Sequence, residues 1–378
     1  MKVRNRLLVS AMLSVGLVSP QAFAADTECS IVYGPLQTDV VPITANNGPN
    51  IGKTTPVPYT TIAVASNFYQ PAIDLVRLFL YPNSGYRNKG IGVCHNATGH
   101  LVGEITNGGD VPSNPNEWLS QAIDYKYGLF LAANTAAPLG LAAQYKSGDV
   151  YLYAEGIPAL LANPTGNLTD AEQLVTTEGT IPANAPSGLI GGDPYELIGP
   201  VIMDTDNLSH VGIGNRVNAP YGTAAAAIID AMEQFSTPTA KPGNPPDVLA
   251  CTENTATPSL CEYDNIDVTF VESVANDSGL DAGFVSWAQI KSAGNTYGAL
   301  QYITFPSYAI PQAGVQLVTG ANGSVDPVAT ALWGFMDVAD PDTTGAFYGA
   351  TDQTWNEWLE DHGYGDLDAP NPPLVTTP

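Results

Sequence analysis

Three points along the sequence place small polar residues where a predicted strand passes into a predicted helix. These residues are Ser66 with Asn67, Thr98 with Gly99, and Tyr221 with Gly222. The first turn of a helix carries unpaired backbone N–H groups and the positive end of the helix dipole, so such a turn can hold an anion. Hydroxyl side chains add hydrogen-bond donors without adding charge. Helix capping is the alternative role of each pair, and convergence in one cleft would favour an anion site.

Other patterns that carry chemistry are weak in this sequence. The sequence has no GxSxG motif, and its histidines (His95, His100, His210 and His362) lack HExxH spacing. His95 and His100 flank Thr98, where we expect polar loop residues rather than metal ligands. Pairs among the 37 acidic residues could hydrolyse a glycosidic bond, and the 18 Tyr and 5 Trp could bind carbohydrate. A secreted hydrolase and a carbohydrate-binding or adhesion protein are the alternatives, but we expect no enzyme, no bound metal cation and no cofactor.

The sequence contains four cysteines, an even number: Cys29, Cys94, Cys251 and Cys261. In an exported chain such a count predicts disulfides. The nine residues between Cys251 and Cys261 belong to a Pro-, Thr- and Asn-rich segment, which favours a bridge there. Cys29 and Cys94 would then tie the N-terminal segment to the body of the protein. Metal ligation is the alternative, and the lack of CxxC spacing disfavours it.

The composition indicates a folded, acidic protein. The 378 residues are 44% hydrophobic and 9% aromatic, which is enough for a core and more length than one ordinary domain needs. Lys and Arg number 12 against 37 Asp and Glu, for a formal net charge of −25. Nucleic acids and anionic lipid surfaces are bound through clustered basic residues, so this balance excludes both as partners.

Residues 1–24 have the pattern of a Sec signal peptide. The segment begins with basic residues, continues with an apolar stretch over 7–18, and ends in Ala22-Phe23-Ala24, an A-x-A cleavage site. The apolar stretch is shorter than the roughly 20 residues that span a membrane. We therefore expect a soluble protein, periplasmic or secreted, with no transmembrane anchor.

Short apolar strands alternate with helices along most of the chain. Strands are predicted at 61–65, 91–94, 127–133, 149–153, 211–214, 281–286 and 316–318. Helices are predicted at 71–80, 100–105, 223–232, 328–338 and 354–363. Apolar strands alternating with helices predict an α/β fold with mostly parallel sheets flanked by helices. Residues 25–57 lack periodicity, which predicts an irregular N-terminal extension. The polar, proline-rich residues 366–378 are predicted to form a flexible tail.

Several segments, taken in chain order, resemble one known family. They are IAVASNF at 62–68, NATGHL at 96–101, FLAAN at 130–134, APYGTAA at 219–225, ESVAN at 272–276, DAGFVSWAQI at 281–290 and GYG at 363–365. On these motifs the chain resembles the periplasmic molybdate-binding proteins of ABC importers, a branch of the type II periplasmic substrate-binding proteins. The resemblance covers about 58–365, with extra segments and with Thr98 where the family usually has Ser.

The resemblance implies a type II, two-lobe α/β fold. Lobe 1 would combine 58–150 with 291–365, and lobe 2 would span 151–290. An oxyanion would lie between the lobes, held by five residues: Ser66, Asn67, Thr98, Tyr221 and Val274. Val274 enters this set through the family motif alone.

The resemblance also implies a function and partners. Members of the family capture molybdate or tungstate and deliver it to an ABC transporter permease in the inner membrane. A pocket of neutral donors with no acidic residue suits a fully ionised anion, such as molybdate, tungstate or sulfate, better than hydrogen phosphate. We expect a monomer whose partners are the oxyanion and the permease.

Overall fold

The computed structural model describes residues 27–33, 41–42, 60–80, 86, 90–106, 127–145, 149–163, 210–235, 259–263, 265–275, 280–294, 296–297, 300, 302–318, 325–342, 353–368 and 370–374. The strands are β1 (Glu28–Tyr33), β2 (Val41–Pro42), β3 (Thr60–Ala65), β4 (Gly90–Asn96), β5 (Leu129–Leu131), β6 (Tyr151–Gly156), β7 (Pro158–Ala162), β8 (His210–Gly214), β9 (Ser259–Tyr263), β10 (Ala282–Ser286), β11 (Tyr302–Thr304), β12 (Ile310–Gln316) and β13 (Tyr364–Gly365). The helices are α1 (Tyr69–Phe79), α2 (Thr98–Thr106), α3 (Ala136–Tyr145), α4 (Pro220–Phe235), α5 (Ile266–Val274), α6 (Trp287–Ala293), α7 (Pro327–Met336) and α8 (Trp355–Asp361). Short 3₁₀ turns occupy Ser66–Phe68 and Pro306–Tyr308.

The strands form two sheets, one in each lobe. The first sheet has the order β13-β6-β12-β5-β3-β4-β1-β2, and the second has the order β11-β7-β10-β8-β9. In the first sheet, β3 runs parallel to β4 and β5. In the second, β8 runs parallel to β9 and β10. All residues of β3 and β4 are buried, because the central strands of a parallel sheet are covered on both faces.

The chain crosses between the lobes twice. It leaves the first sheet after β6 and enters the second at β7, with only Ile157 between, and it returns between β11 and β12. In each sheet the entering strand lies antiparallel beside the third strand of the parallel trio: β7 pairs with β10, and β12 pairs with β5. The strands β12-β5-β3-β4 of the first sheet thus have the same order as β7-β10-β8-β9 of the second, and the two sheets confirm the predicted two-lobe α/β fold.

The lobe limits differ from the predicted ones. Residues 151–156 form β6, which pairs with β12 and belongs to the first sheet rather than to lobe 2. Residues 302–304 form β11, which pairs with β7 and belongs to the second sheet. Backbone pairing across the crossovers decides these limits, and that pairing has no local sequence signal. The predicted strand at 316–318 likewise lies at the end of β12, which begins at Ile310.

Parts of two segments predicted to be irregular or flexible pair with the body of the protein. Within 25–57, β1 pairs antiparallel with β4 along its whole length, and β2 pairs with β1. Within 366–378, the Asn371 amide donates to the carbonyls of Leu152 and Val338, and Leu367 is buried. Long-range pairing orders these segments even though their sequences lack periodicity.

The disulfide between Cys29 and Cys94, predicted from the cysteine count, is present and joins opposed residues of β1 and β4. Cys261 is also disulfide-bonded, whereas Cys251 lies outside the described residues. The predicted signal peptide, residues 1–24, lies outside them too. None of the described helices is long and apolar enough to cross a membrane.

Candidate functional site

Four strand-to-helix junctions, two from each lobe, begin at the carboxyl ends of parallel strands. In the first lobe, β3 leads through Ser66–Phe68 into α1, and β4 leads into α2. In the second lobe, β8 leads into α4, and β9 leads into α5. Because parallel strands end at the same edge of their sheet, each pair of junctions lies side by side. This edge is where open α/β sheets place their ligands.

The junctions of the two lobes meet. Ala65 and Ala133 of the first lobe pack in one buried cluster with Tyr221 and Ile266 of the second. At a second contact, the Gly99 N–H donates to the Asn218 carbonyl over 3.1 Å. A Cβ at Gly99 would lie 2.8 Å from Asn218 Oδ1, so glycine permits this close approach. The convergence that would favour an anion site is therefore present in the described residues.

The hydroxyls of Ser66 and Thr98, both predicted site residues, lie here and differ in their hydrogen bonding. Ser66 is only 4% exposed, and its Oγ has no hydrogen-bond partner among the described residues. Thr98 is also buried, and its Oγ1 accepts a hydrogen bond from the Ala133 N–H over 3.1 Å. That bond uses a lone pair, so the Thr98 hydroxyl keeps its proton for donation.

Asn67 joins the first lobe to the second through its side chain. Its Nδ2 lies 3.4 Å from Tyr221 Oη, 3.2 Å from Gln312 Oε1 and 3.3 Å from Tyr364 Oη. Its Oδ1 is buried and has no partner among the described residues. Asn67 is therefore held by its amide nitrogen in a network that contains the predicted site residue Tyr221.

Gln312 is the centre of this network. Its Nε2 donates to Tyr221 Oη over 3.1 Å, and its Oε1 accepts from Tyr153 Oη over 2.9 Å as well as from Asn67. Tyr364 Oη donates to the Asn67 carbonyl over 2.8 Å. Burial raises the pKa of Tyr153, Tyr221 and Tyr364, so all three phenols stay protonated at neutral pH and the network is uncharged.

The sequence pattern did not single out Gln312, Tyr153 or Tyr364 as site residues. Tyr364 lies within the GYG motif, which would have been the signal for it. A less obvious signal is Gly156, because a Cβ there would lie 2.1 Å from Gln312 Nε2 and 2.2 Å from Tyr221 Oη. Only glycine at this position leaves room for the contact between the two side chains.

Val274 is not brought to the other predicted residues. It is the last residue of α5 and packs in an apolar cluster of the second lobe with Phe270 and Val285. Only the first turn of a helix offers unpaired N–H groups, and the first turn of α5 follows Asn265. Asn265 caps the helix by accepting from the Val268 N–H, and Ile266, rather than Val274, packs against Tyr221. The Asn265 N-cap pattern was the sequence signal that could have identified Ile266 as a site residue.

A charged pair lies beside the junctions. His95 Nδ1 of β4 is 2.8 Å from Asp267 Oδ2 in the first turn of α5. Burial opposes the charged form of His95, but hydrogen bonding to Asp267 and Glu28 outweighs it and raises its pKa to about 9. His95 is therefore an imidazolium at neutral pH and compensates the charge of Asp267. The part of the chain that the structure describes contains no group of three or more His, Cys, Asp or Glu that could hold a metal ion.

No protein-family model matches this sequence, and no curated protein matches it either. Among solved structures, the chain is similar to the substrate-binding domain of a putative molybdenum ABC transporter from Clostridium difficile, with 10% identity and a TM-score of 0.42, over 82% of this chain and 99% of that one. It is similar to the substrate-binding protein of an ABC transporter from Agrobacterium tumefaciens, with 10% identity and a TM-score of 0.45, over 83% and 79%. It is also similar to the sulfate-binding protein SubI from Mycobacterium tuberculosis, with 10% identity and a TM-score of 0.44, over 82% and 87%. The four-strand order common to both sheets and the two crossovers, rather than these likenesses, define the two-lobe α/β fold.

Proposed function

We propose that this protein is a periplasmic solute-binding protein that captures a tetrahedral oxyanion and delivers it to the permease of an ABC transporter. Molybdate and tungstate are the first candidates. The observation that carries the proposal is the meeting of strand-to-helix junctions from both lobes, through the buried cluster of Ala65, Ala133, Tyr221 and Ile266 and through the Gly99–Asn218 contact. Helix N-termini that converge on one point favour negative charge there.

The proposed donors are neutral and come from both lobes. Ser66 and Thr98 would donate their hydroxyl protons from the first lobe. Tyr221 and Ile266 would donate backbone N–H groups from the first turns of α4 and α5, where N–H groups have no acceptor within the helix. Ser66 supports this arrangement most directly, because a buried hydroxyl without a protein partner is disfavoured unless something else satisfies it.

Closure would connect binding to delivery. Each lobe contributes half of the donors, so the anion interacts fully with both halves only when the lobes are together. A ligand that binds the closed form better shifts the population toward it. The closed form would then present the surface that the permease recognises.

Thermal unfolding of the purified protein with molybdate, tungstate, sulfate, phosphate or no addition tests the ligand. Binding stabilises the folded state by about 4 kcal/mol at a thousandfold excess over Kd. We expect a large rise in Tm with molybdate and tungstate. A rise with sulfate instead would change the substrate, and no rise with any of the anions would overturn the oxyanion proposal.

Two substitutions test the residues. Ser66→Ala should raise the stability of the ligand-free protein by about 1–3 kcal/mol, since it removes a buried hydroxyl that has no described partner, yet it should weaken oxyanion binding by about 1.5–3 kcal/mol. Adding Thr98→Ala should weaken it further, whereas Thr98→Ser keeps the hydroxyl and serves as the matched control. Calorimetric titration measures each affinity. An unchanged affinity in the double alanine variant would remove both loops from the site.

A further inference from the structure

The His95–Asp267 pair connects the two lobes directly. His95 belongs to β4 of the first lobe, and Asp267 belongs to the first turn of α5 in the second. His95 is only 8% exposed, and its ring stacks on Tyr69 with 3.7 Å between ring centroids. The Nδ1–Oδ2 distance of 2.8 Å is that of a close ion pair.

The surroundings of His95 are acidic. Glu28 of β1 lies 3.7 Å from His95 Nε2, on the side opposite Asp267 in the imidazole ring. Asp267 receives one further hydrogen bond, from Gln289 Nε2 over 2.7 Å. The titratable groups that face His95 are thus Glu28 of β1, Tyr69 of α1 and Asp267 of α5. Among the residues that the structure describes, two carboxylates and no cation pair with His95, so its protonated form is the one these contacts stabilise.

We propose that protonated His95 and Asp267 form an interlobe latch that holds the first turn of α5 against the first lobe and so positions the N–H of Ile266 for the ligand. Each residue of the pair lies close in the sequence to a proposed ligand donor. His95 lies three residues before Thr98, and Asp267 directly follows Ile266. His95 and Asp267 are positioning residues, because they act through their neighbours and not by touching the anion.

Two consequences follow, and the second rests on the proposed function. First, losing the proton of His95 removes the ionic part of the latch, so the first turn of α5 should become more mobile as pH rises through about 9. Second, an anion in the cleft would then lie near the uncompensated carboxylate of Asp267. Oxyanion affinity should therefore fall over the same pH range.

The first test needs no ligand. Hydrogen–deuterium exchange of peptides covering 265–275 should be about tenfold faster in His95→Gln and in Asp267→Asn than in the wild type, a coupling of ordinary size. Asp74→Asn is the matched control, because it breaks the Asp74–Arg77 pair on the surface of α1 and should leave this exchange unchanged. Equal exchange in all four proteins would overturn the latch.

The second test uses molybdate as the probe. The Kd of the wild type should rise about tenfold between pH 8 and pH 10, while His95→Gln should bind weakly and with little pH dependence. A flat wild-type profile with tight binding would overturn the latch. If the wild type binds no anion at any pH, the proposed function fails, and the exchange experiment still decides the latch.

A third measurement covers the case in which a variant does not fold. The imidazole signals of His95, followed by NMR in the wild type, should titrate well above the ordinary histidine range. Titration at or below that range would show that the Asp267 contact does not hold the proton and would overturn the proposal.

Discussion

Ser66 and Gln312 represent two different states of a buried polar side chain. Gln312 is completely buried and satisfied by three side chains, from Asn67, Tyr153 and Tyr221. Ser66 is nearly as buried, but its hydroxyl has no partner among the described residues. A buried polar atom without a hydrogen bond is destabilising by about 1–3 kcal/mol. This difference marks Gln312 as part of the framework and Ser66 as a group that a ligand can satisfy.

Replacing Gln312 tests its role in the framework. Gln312→Leu should lower the free energy of unfolding by about 3 kcal/mol, because it removes the acceptor of the buried Tyr153 hydroxyl, one acceptor of Asn67 Nδ2 and a donor to Tyr221 Oη. Gln316→Leu on the same strand is the control, since the Gln316 side chain accepts from the exposed Thr330 hydroxyl rather than from a buried group, and it should change stability by less than about 0.5 kcal/mol. Urea unfolding measures both variants. Equal losses would show that Gln312 is not central to the network.

At the scale of the element, the direction of α5 decides which of its residues can serve the site. Its first turn, capped by Asn265, lies at the interlobe contact, and its last residue, Val274, lies in the apolar core of the second lobe. Carbonyl groups are unpaired at the end of a helix, and N–H groups are unpaired at its beginning. An anion therefore has donors near Ile266 and none at Val274.

The Asn265 cap of α5, at the interlobe contact, can be compared with the Asp326 cap of α7, at the amino end of β3. Asn265→Ala should lower the free energy of unfolding by about 1 kcal/mol and also weaken oxyanion binding several-fold, because the first turn frays. Asp326→Ala removes the cap of α7, which lies beside Gly128 and Thr60 at the amino end of β3. It should have a similar effect on stability and leave affinity unchanged. Parallel urea unfolding and calorimetric titration separate the two effects, and equal affinity losses would contradict the role of the α5 cap.

For the whole molecule, two crossovers and a set of side-chain contacts connect the lobes. The crossovers are short, with Ile157 in one and 305–309 in the other. The interlobe contacts include the uncharged network around Gln312 and the charged pair of His95 and Asp267. The uncharged network keeps its protonation state at neutral pH, so the charged pair is the part that responds to pH.

The stability of the molecule should therefore depend on pH with a known sign. The pKa of His95 is about 9 in the folded protein and about 6.5 in an unfolded chain, so folding binds a proton between these values. The stabilisation is fully present below pH 6.5 and is lost as pH rises through 9. We expect the free energy of unfolding in urea to fall by about 3 kcal/mol between pH 6.5 and 9.5 in the wild type. In His95→Gln this fall should be absent, and an equal fall in both proteins would assign it to other groups.

Local pattern in the sequence was sufficient for the α/β fold class, for the approximate places of β3, β4, β5, β6, β8 and β10, and for the positions of Ser66, Asn67, Thr98 and Tyr221 at junctions. Strand alternation, apolar runs and turn residues act over a few residues, so they are visible in a single sequence. The Cys29–Cys94 disulfide could also be predicted from the sequence, because four cysteines allow few pairings.

Other features depended on the tertiary structure. Asn67, Tyr221, Gln312 and Tyr364 are far apart in the sequence, and the strand order with its two crossovers brings them together. The pairing of β1 with β4 and the place of β6 in the first sheet arise in the same way. Such contacts depend on which strands become neighbours, and neighbouring strands are chosen by the burial of the whole core. That choice placed Ile266 rather than Val274 at the cleft and set His95 against Asp267 across it.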